Sequence, residues 1–594
     1  MKGVITQRID LLIQYVRNRL TQRQFVFLSS ILVGITVALA VMVLKLFAHS
    51  IYTAAISLNK NLHFSYSYIA FPIVGLLLTV LVVKKILKGV LEKGTSQILY
   101  AIAKKSAIIP GQQMYAQIIT SSLTVGLGGS AGLESPIVIT GAAFGSNFAQ
   151  ACGLKHNERS LLLACGVSAG ISAAFNAPIA GVLFATEVLL TDISITAFVP
   201  LMIASATGAL VSTIILNEDV LLSFSRQQPF DYHNIPYYII LGILAGMVTV
   251  YHTRMFQRVE NYFHQKKINA YKKAMIGGVL LASLILLFPS LFGEGYESIK
   301  TLSLPDPQRI LDETLFTGFR DNPYVLLLFV AAALFLKVFA TAITLGSGGN
   351  GGNFAPSLFV GSYLGFVFSG LVNLMGGRVL PVSNFSIVGM AGILSGLFHA
   401  PLTAIFLIVE ITGGYNLMVP LMIVSSISFA ISKYFEKHSM DRKSMAEKGH
   451  VYTEDKDRNI LIAIGLEEVM DKKLIKLTTE NTLADVMLFF SNTQQSVFPV
   501  LDDSNHLLGL ILADDLRKRI FNMQDLAFTL VKDIMQKPKD VVTPDETMDT
   551  VIKKMEDSGA SWLPLIEDGK YIGIVSKQAI LEHYRQHLIS ATIV

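Results

Sequence analysis

Cysteine is scarce in this sequence of 594 residues: only Cys152 and Cys165 are present, and both stand among apolar or small residues. Two such cysteines provide neither a disulfide framework nor a cluster of metal ligands. His399 has no second ligand at a metal-binding spacing and is expected to be packed between helices. Since no Ser-His-Asp or Cys-His arrangement can be recognised, the sequence predicts no metal centre and no enzyme activity.

Charge is also scarce, at 15% of residues with a mean hydropathy of +0.53, against roughly 25% in a typical soluble protein. Residues 436–594 carry 46 of the 91 charged side chains, although they form only about a quarter of the chain. An ionised side chain in lipid costs several kcal/mol unless it is sheltered. The sequence therefore excludes a soluble enzyme throughout and predicts a membrane domain followed by a water-soluble one. A net charge of +5 is too small to indicate a nucleic-acid partner.

Composition shifts also place the domain boundaries. The first 24 residues are basic and are followed by no cleavage pattern, so we expect a cytoplasmic leader. The positive-inside rule then keeps the N-terminus in the cytoplasm, and a charged C-terminal domain without an export signal is expected there too, which requires an even number of crossings. The predicted divisions are 1–24 for the leader, 25–435 for the membrane domain, 436–465 for a linker, and 466–524 and 525–594 for two soluble modules.

Apolar runs of about 20 residues, the length that spans the hydrocarbon core, predict membrane helices near 25–48, 68–87, 197–216, 237–256, 273–293 and 324–345. Two further stretches, 113–190 and 346–434, are apolar but interrupted every few residues by Gly, Ser, Asn or Pro. They predict short or broken helices. Because non-helical backbone at membrane depth must be covered by protein or a water-filled cavity, we expect the substrate site there.

An internal repeat relates these two broken stretches. Residues 175–178 read Phe-Asn-Ala-Pro and are followed by Glu187, while residues 398–401, which lie 223 positions later, read Phe-His-Ala-Pro and are followed by Glu410. Residues 132–136 match residues 352–356 at an offset of 220 in the same way. The repeat predicts an all-α membrane domain of two related halves, as in many transporters. It does not show whether the second half is inverted.

A shorter repeat occupies the charged tail. Met470 and Met535 are 65 residues apart, as are Pro499 and Pro564, and each copy contains a β-rich run followed by a helical pattern. The tail is therefore predicted to hold two α/β modules of about 60 residues each.

The glycine-rich segments 126–136 and 346–356 each end in a proline, which suits the first turn of a following helix. A helix N-terminus carries roughly half a positive charge and unpaired N–H groups, so two facing N-termini would hold one small monovalent anion. The alternative is that the glycines only allow close helix packing. The predicted anion-binding residues from these segments are Gly132, Leu133, Ser135, Gly352, Asn353, Phe354 and Ala355.

Glu134 is an acid in the middle of the first segment, and an ionisable residue at membrane depth is a functional candidate by default. Its carboxylate can occupy the anion site itself and block the path, and protonation would free that site. Glu134 is therefore predicted to be both gate and proton acceptor. The alternative is a solvated loop carboxylate.

The membrane part resembles the CLC family of chloride channels and proton-coupled chloride exchangers. The resemblance lies in the motif of Gly132, Glu134 and Pro136, in the motif of Gly352 and Pro356 around Phe354, and in residues 177–187. It implies a homodimer with one anion pathway in each subunit and an external gate at Glu134. It also implies that the backbone amides of Phe354 and Ala355 bind the anion.

Several positions depart from the family pattern. Leu133 and Ser135 replace the usual Arg and Gly, and the first anion-binding element aligns best with residues 92–97, where Lys93 and Thr95 are candidates for an ion contact. The tyrosine of the inner anion site should fall near residues 439–441, and Asp441 is the candidate there. These three residues are therefore predicted to line an altered inner anion path.

One further departure concerns the mechanism. Coupled exchangers often place a second proton-accepting glutamate directly after the residue that matches Glu187, and Val188 occupies that position. Passive voltage- or pH-gated chloride conduction is thus favoured, with a proton-coupled chloride antiporter as the alternative. Glu187 and Glu410 are interpreted as structural partners of helix termini or of Lys337. A divalent-cation transporter or a membrane sensor is a distant alternative, because the membrane domain has too few acids for a Mg²⁺ path.

The tail resembles tandem CBS domains, some of which bind adenine nucleotides. Nucleotide-binding copies pair a Ser or Thr with an Asp three residues later, and this chain keeps only Asp515 in the first copy and Ser576 in the second. Adenine nucleotide is thus a candidate ligand, and no other cofactor is expected. The alternative is that the pair only braces the dimer. Compact loops indicate a bacterial inner membrane.

Overall fold

The computed structural model describes residues 19–61, 67–189, 195–216, 228–266, 268–312, 314–376, 378–447, 461, 464–493, 495–514, 516 and 528–592. The chain divides into two compact units, Met1–Val451 and Tyr452–Val594. The first unit is helical in its described part and contains one large apolar core, whereas the second combines strands and helices around smaller cores. The predicted fold class, an all-α membrane domain followed by an α/β pair, is confirmed.

The first half of the membrane unit contains eight described helices. In chain order they are α1 (Gln22–Asn61), α2 (Phe71–Lys85), α3 (Ser96–Lys104), α4 (Gln113–Gly126), α5 (Glu134–Ala151), α6 (His156–Phe175), α7 (Pro178–Phe184) and α8 (Ile195–Leu216).

The second half contains nine described helices. They are α9 (Ile235–Gln265), α10 (Ala270–Leu287), α11 (Tyr296–Ser303), α12 (Pro323–Gly346), α13 (Phe354–Leu374), α14 (Val382–Phe398), α15 (Pro401–Thr412), α16 (Met418–Phe435) and α17 (Met440–Glu447).

Seven helical segments of the described residues are long and apolar enough to cross a membrane. Five of the six predicted spans coincide with long helices. The sixth, predicted near 68–87, is the 15-residue helix α2, because a 3₁₀ turn over Ser67–Ala70 precedes it and Pro72 lies in its first turn. Helix α12 shows how a long span begins: Pro323 is its first residue, and the Asn322 side chain accepts the N–H of Tyr324.

The segment predicted as a linker over 436–465 is partly structured within this unit. Helix α17 follows α16 after four residues, and Met440 at its start is buried in the core of the membrane unit. The expectation of a linker beginning at residue 436 is therefore corrected for residues 436–447.

The repeat predicted from the sequence is visible in the packing of two helix pairs. A Cβ atom on Gly141 of α5 would overlap the carbonyl oxygen of Gly166 on α6, and a Cβ atom on Gly361 of α13 would lie 2.5 Å from the carbonyl oxygen of Gly389 on α14. Small residues allow helix backbones in membranes to approach this closely. The equivalent glycines are separated by the predicted offsets, so the two halves share one packing arrangement.

Two glutamates of the repeat cap helices in the opposite half. Glu187 accepts the N–H groups of Leu402 and Thr403 at 3.1 and 2.7 Å, at the start of α15. Glu410 accepts the N–H groups of Ile179 and Ala180 at 3.0 and 2.8 Å, at the start of α7. The interpretation of both residues as partners of helix termini is confirmed, and the exchange ties the two halves together.

The second unit consists of two small sheets and short helices. They are α18 (Leu466–Val469), β1 (Met470–Asp471), α19 (Leu483–Asn492), β2 (Val497–Leu501), β3 (Leu507–Leu512), α20 (Val531–Ile534), α21 (Met548–Ser558), β4 (Trp562–Glu567), β5 (Lys570–Ser576) and α22 (Lys577–Thr592). The strands pair antiparallel in the orders β1-β5-β4 and β2-β3.

The 65-residue repeat of the tail also appears in this unit. Leu477 bridges Val500 in parallel, and Val542 bridges Leu565 in the same way 65 positions later. Helix α19 begins with a capping box in which the Thr482 hydroxyl accepts the N–H of Asp485. In return, the backbone N–H and hydroxyl of Thr482 hold the pKa of the Asp485 carboxyl below its ordinary value. Two equivalent α/β modules are thus present, as predicted.

Candidate functional site

The two glycine-rich segments meet each other in the middle of the membrane unit. Gly132 and Gly352 form an antiparallel bridge in which each N–H donates to the other residue's carbonyl, at 2.9 and 2.8 Å. Helices α5 and α13 both begin two residues after this bridge. The structure therefore brings together the two helix N-termini that the sequence predicted to face one point.

The glycines at this bridge are required by close contacts. A Cβ atom on Gly132 would overlap Oε2 of Glu134, and a Cβ atom on Gly352 would lie 2.5 Å from the Cβ of Ser135. The N–H groups of both glycines are already used in the bridge. The two glycines therefore fix the distance between the two segments, and their predicted part in binding an anion stays a prediction.

The carboxylate of Glu134 lies at the start of α13, in the opposite half from its own helix. Its Oε1 accepts the hydroxyl of Tyr296 at 2.6 Å, and its Oε2 accepts the N–H of Ala355 at 3.4 Å. The residue is 4% exposed. A helix N-terminus attracts negative groups, and the Glu134 carboxylate lies at that of α13.

Two cavities open on either side of this carboxylate. The first, of about 590 Å³, is lined by Glu294 and Tyr296 among others, and we name it the Tyr296 vestibule. The second, of about 570 Å³, is lined by Lys93 and Asp441 among others, and we name it the Asp441 vestibule. Among the described residues, Glu134 alone lines both cavities. The Glu134 side chain therefore lies between the two vestibules.

The predicted site residues divide between these two cavities. Leu133 lines the Tyr296 vestibule and donates its N–H to Oε1 of Glu294 at 3.1 Å. The predicted residues besides Glu134 that line the Asp441 vestibule are Ser135, Gly352, Asn353, Phe354, Lys93, Thr95 and Asp441. Ala355 contacts Glu134 itself. The structure thus places the predicted residues of the membrane unit in the walls of the two vestibules or in contact with Glu134.

Aromatic packing fixes the Phe354 side chain beside the path. Its ring lies 5.6 Å from that of Phe175, 6.2 Å from that of Phe184 and 5.5 Å from that of Phe398, measured between centroids. Phe175 and Phe398 are repeat-related residues at the ends of α6 and α14. The start of α13 is therefore held against both halves of the unit.

The candidates for the inner path also contact one another and the second glycine segment. The Lys93 ammonium donates to the carbonyls of Gly349 at 2.7 Å and Gly348 at 3.3 Å. The Thr95 hydroxyl is hydrogen-bonded to the Asp441 carboxylate, whose Oδ2 has no hydrogen-bond partner in the described part of the chain. A carboxylate thus stands in the wall where the family pattern has a tyrosine.

Two residues of this site, Glu294 and Tyr296, were not identified from the sequence, and Lys337 behind them was named there only as a possible partner of Glu187 and Glu410. Lys337 is fully buried and donates to the carbonyl of Gly293 at 2.9 Å. The available signal was the run Gly-Glu-Gly-Tyr at 293–296, an acid between two glycines at the end of a predicted span. Like the segment around Glu134, this run places a single acid among glycines.

His399 lies where the sequence analysis expected it, between helices. It ends α14 with a left-handed backbone, φ 55°, and its ring lies 5.7 Å from that of Phe429. No group of three or more His, Cys, Asp or Glu side chains with metal-binding geometry is found among the described residues.

In the second unit, Asp515 lies outside the described residues. The Ser576 hydroxyl accepts the N–H of Ala579 at 3.0 Å, at the start of α22, so it serves as a helix cap. The binding of adenine nucleotide stays a prediction.

Comparison with similar proteins places this geometry in a family. The voltage-gated chloride channel ClcB of Citrobacter koseri is 30% identical over 337 residues, which cover 55% of this chain and 75% of that protein. A ClcB-like chloride channel protein of Ralstonia nicotianae is 28% identical over 379 residues, which cover 63% of this chain and 83% of that protein. CLC-f of Arabidopsis thaliana is 25% identical over 519 residues, which cover 76% of this chain and 65% of that protein.

Solved structures share the fold. A slow cyanobacterial Cl⁻/H⁺ antiporter matches with a TM-score of 0.62 at 20% identity, covering 72% of this chain and 98% of that one. A eukaryotic CLC transporter matches with a TM-score of 0.60 at 17% identity, covering 96% and 98%. The CBS domain model matches residues 466–522 and 531–586. Because the family model for voltage-gated chloride channels matches residues 74–433, more than half of the sequence, the chain belongs to the CLC family of membrane anion transporters, which are not enzymes.

Proposed function

We propose that this protein conducts chloride, or a similar small monovalent anion, passively along a path within each subunit, and that Glu134 is the gate. The observation that carries the proposal is the position of the Glu134 carboxylate. It accepts the N–H of Ala355 at the start of α13 and lines both vestibules. An anion crossing between the vestibules must take its place.

The gate operates by competition for a helix N-terminus. While the Glu134 carboxylate is ionised, it satisfies the Ala355 amide and blocks the path. When it is protonated or moved away by the membrane field, the amide and the partial positive charge of α13 become available to chloride. Leu133 and Ser135 add no cation beside the gate, so at the start of α13 the attraction comes from the backbone, while Lys45 lies in the wall of the Tyr296 vestibule.

Passive conduction is supported by the side chain that follows Glu187. Val188 is buried and apolar, so this position offers no proton acceptor. Similar proteins are named as chloride channels. The second candidate is proton-coupled exchange. It is supported by Asp441, whose Oδ2 lies at the wall of the Asp441 vestibule without a hydrogen-bond partner among the described residues, and by the antiporters that share the fold.

Two copies are proposed to form a homodimer in a bacterial inner membrane, with both termini in the cytoplasm. The basic N-terminal residues support this orientation. The bacterial chloride channels among the similar proteins support the assignment to a bacterial inner membrane.

The experiment that tests the proposal uses the full chain in liposomes and measures the reversal potential in a chloride gradient, first at equal pH and then with a pH gradient. A channel keeps the reversal potential at the chloride equilibrium value in both conditions. A shift when the pH gradient is added means coupled exchange and rejects passive conduction. Current that persists when gluconate replaces chloride on both sides would reject an anion path.

A further inference from the structure

We propose that Glu294 is a second gate carboxylate, and that anions pass only when both Glu294 and Glu134 have released the helix N-termini that they occupy. This inference deepens the function proposed above and rests on it.

The two carboxylates accept amides at the starts of the two repeat-related helices, α5 and α13. Glu294 accepts the N–H of Leu133, the residue directly before α5, at 3.1 Å. Glu134 accepts the N–H of Ala355, the second residue of α13. Each of the two helix starts that would hold an anion is thus filled by a carboxylate from another part of the chain.

Glu294 is positioned by a backbone that leaves it little freedom. It stands between Gly293 and Gly295, which have left-handed backbones with φ 62° and 97°. A Cβ atom on Gly295 would lie 2.6 Å from the ring of Phe359. The Gly293 carbonyl accepts Lys337 Nζ at 2.9 Å, and that ammonium also lies 5.0 Å from the centre of the Phe359 ring. The loop is therefore built to present Glu294 to the start of α5.

Tyr296 links the two gate carboxylates. It follows Glu294 by two residues, and its hydroxyl donates to Oε1 of Glu134 at 2.6 Å. All three side chains line the Tyr296 vestibule. Two carboxylates that share one cavity repel each other when both are ionised, so the protonation of one affects the other.

Other ionisable groups face the same cavity and set its charge. Basic and aromatic groups come from α1 and from the later segments, and Lys337 lies behind the loop. The groups in the wall besides the two gate carboxylates and Tyr296 are Lys45, His49, Tyr52, Glu297, Lys300 and Arg309. Lys300 is paired with the exposed Glu297 at 3.3 Å. An anion is therefore attracted to the mouth of the vestibule but meets two acids at its end.

The test measures chloride efflux from liposomes containing the full chain, as a function of pH set equally on both sides. The wild type is expected to open as pH falls, and we define the steepness as the limiting slope of the logarithm of the rate against pH at the alkaline end, where both carboxylates are ionised. This steepness is expected to be about two protons for the wild type and about one for E294Q, because one of the two required protonations is gone. At neutral pH, E294Q is expected to conduct faster than the wild type. E294S is measured as a second variant, because its side chain is also uncharged and removes the same carboxylate from the start of α5.

The control is E297Q, which removes an exposed carboxylate from the same rim, on helix α11. It is expected to keep the wild-type steepness. A wild-type steepness of about one proton, or E294Q and E294S with the wild-type profile, overturns the role of Glu294. If those variants match the wild type while E134Q loses its pH dependence, the Glu134 gate stands and only Glu294 is excluded. If E134Q keeps the profile, the proposed function itself fails.

Discussion

The Tyr296 hydroxyl donates to the Glu134 carboxylate at 2.6 Å and holds it against the start of α13. This bond connects a residue of the second half to an acid of the first half, 162 positions earlier. Its presence means that the closed position of Glu134 depends on a hydroxyl group that belongs to another helix, α11.

Replacing Tyr296 by Phe removes that hydroxyl and keeps the ring. Since the closed carboxylate then loses its hydrogen bond from the Tyr296 hydroxyl, we expect Y296F to open at higher pH than the wild type and to release chloride faster at neutral pH. Chloride efflux from liposomes across a pH series measures the shift. An unchanged profile would show that the bond does not contribute to closing.

Gly132 is the residue whose substitution should disturb the gate most directly. A Cβ atom there would overlap Oε2 of Glu134, while the bridge to Gly352 holds the backbone in place. We expect G132A to cost about 1–3 kcal/mol of stability, as overpacking does, and to weaken the pH dependence of chloride efflux.

The matched control for this substitution is G318A, because a Cβ atom on Gly318 would meet nothing within 4 Å. Thermal unfolding of the purified proteins and the efflux profile are measured together. G132A with wild-type stability and wild-type gating would mean that the carboxylate does not lie against Gly132.

The exchanged caps predict a structural role for Glu187 and Glu410. Either residue changed to Gln loses charge at a helix N-terminus, and we expect a loss of about 1 kcal/mol with no change in the steepness of the pH profile. The measurement is thermal unfolding beside chloride efflux. If E187Q instead abolished the pH dependence without affecting stability, Glu187 would be a proton carrier and the cap interpretation would be insufficient.

Lys337 is expected to act through the loop that it holds. K337M removes the ammonium that the Gly293 carbonyl accepts, so Glu294 is no longer fixed at the start of α5. We expect this variant to show the reduced steepness predicted for E294Q, together with lower thermal stability. Lower stability with the wild-type steepness would mean that Lys337 supports the fold without positioning Glu294.

The elements carried by local sequence patterns were predictable. The repeat identified the broken helices, since glycine and proline mark where helices start and pack closely, and the single acid within a glycine-rich run singled out Glu134. The pairing of Gly132 with Gly352 was not predictable, because it depends on how two segments 220 positions apart meet in three dimensions.

The roles of Glu294, Tyr296 and Lys337 in this site escaped prediction for a related reason. Each residue belongs to an ordinary-looking apolar or loop segment, and its role arises only because that segment packs on the start of α5 or α13. The continuation of the membrane unit through Met440 was missed as well. A charged helix that follows a long span has the composition of a linker, and its buried face is known only from the structure.

The most direct test of the central claim compares chloride efflux of the wild type and E134Q in liposomes across a pH series. If the Glu134 carboxylate occupies the anion's place at the Ala355 amide, E134Q conducts faster than the wild type at neutral pH, and its rate keeps only the one-proton pH dependence of Glu294. A variant that retains the wild-type rate and pH profile would contradict the account.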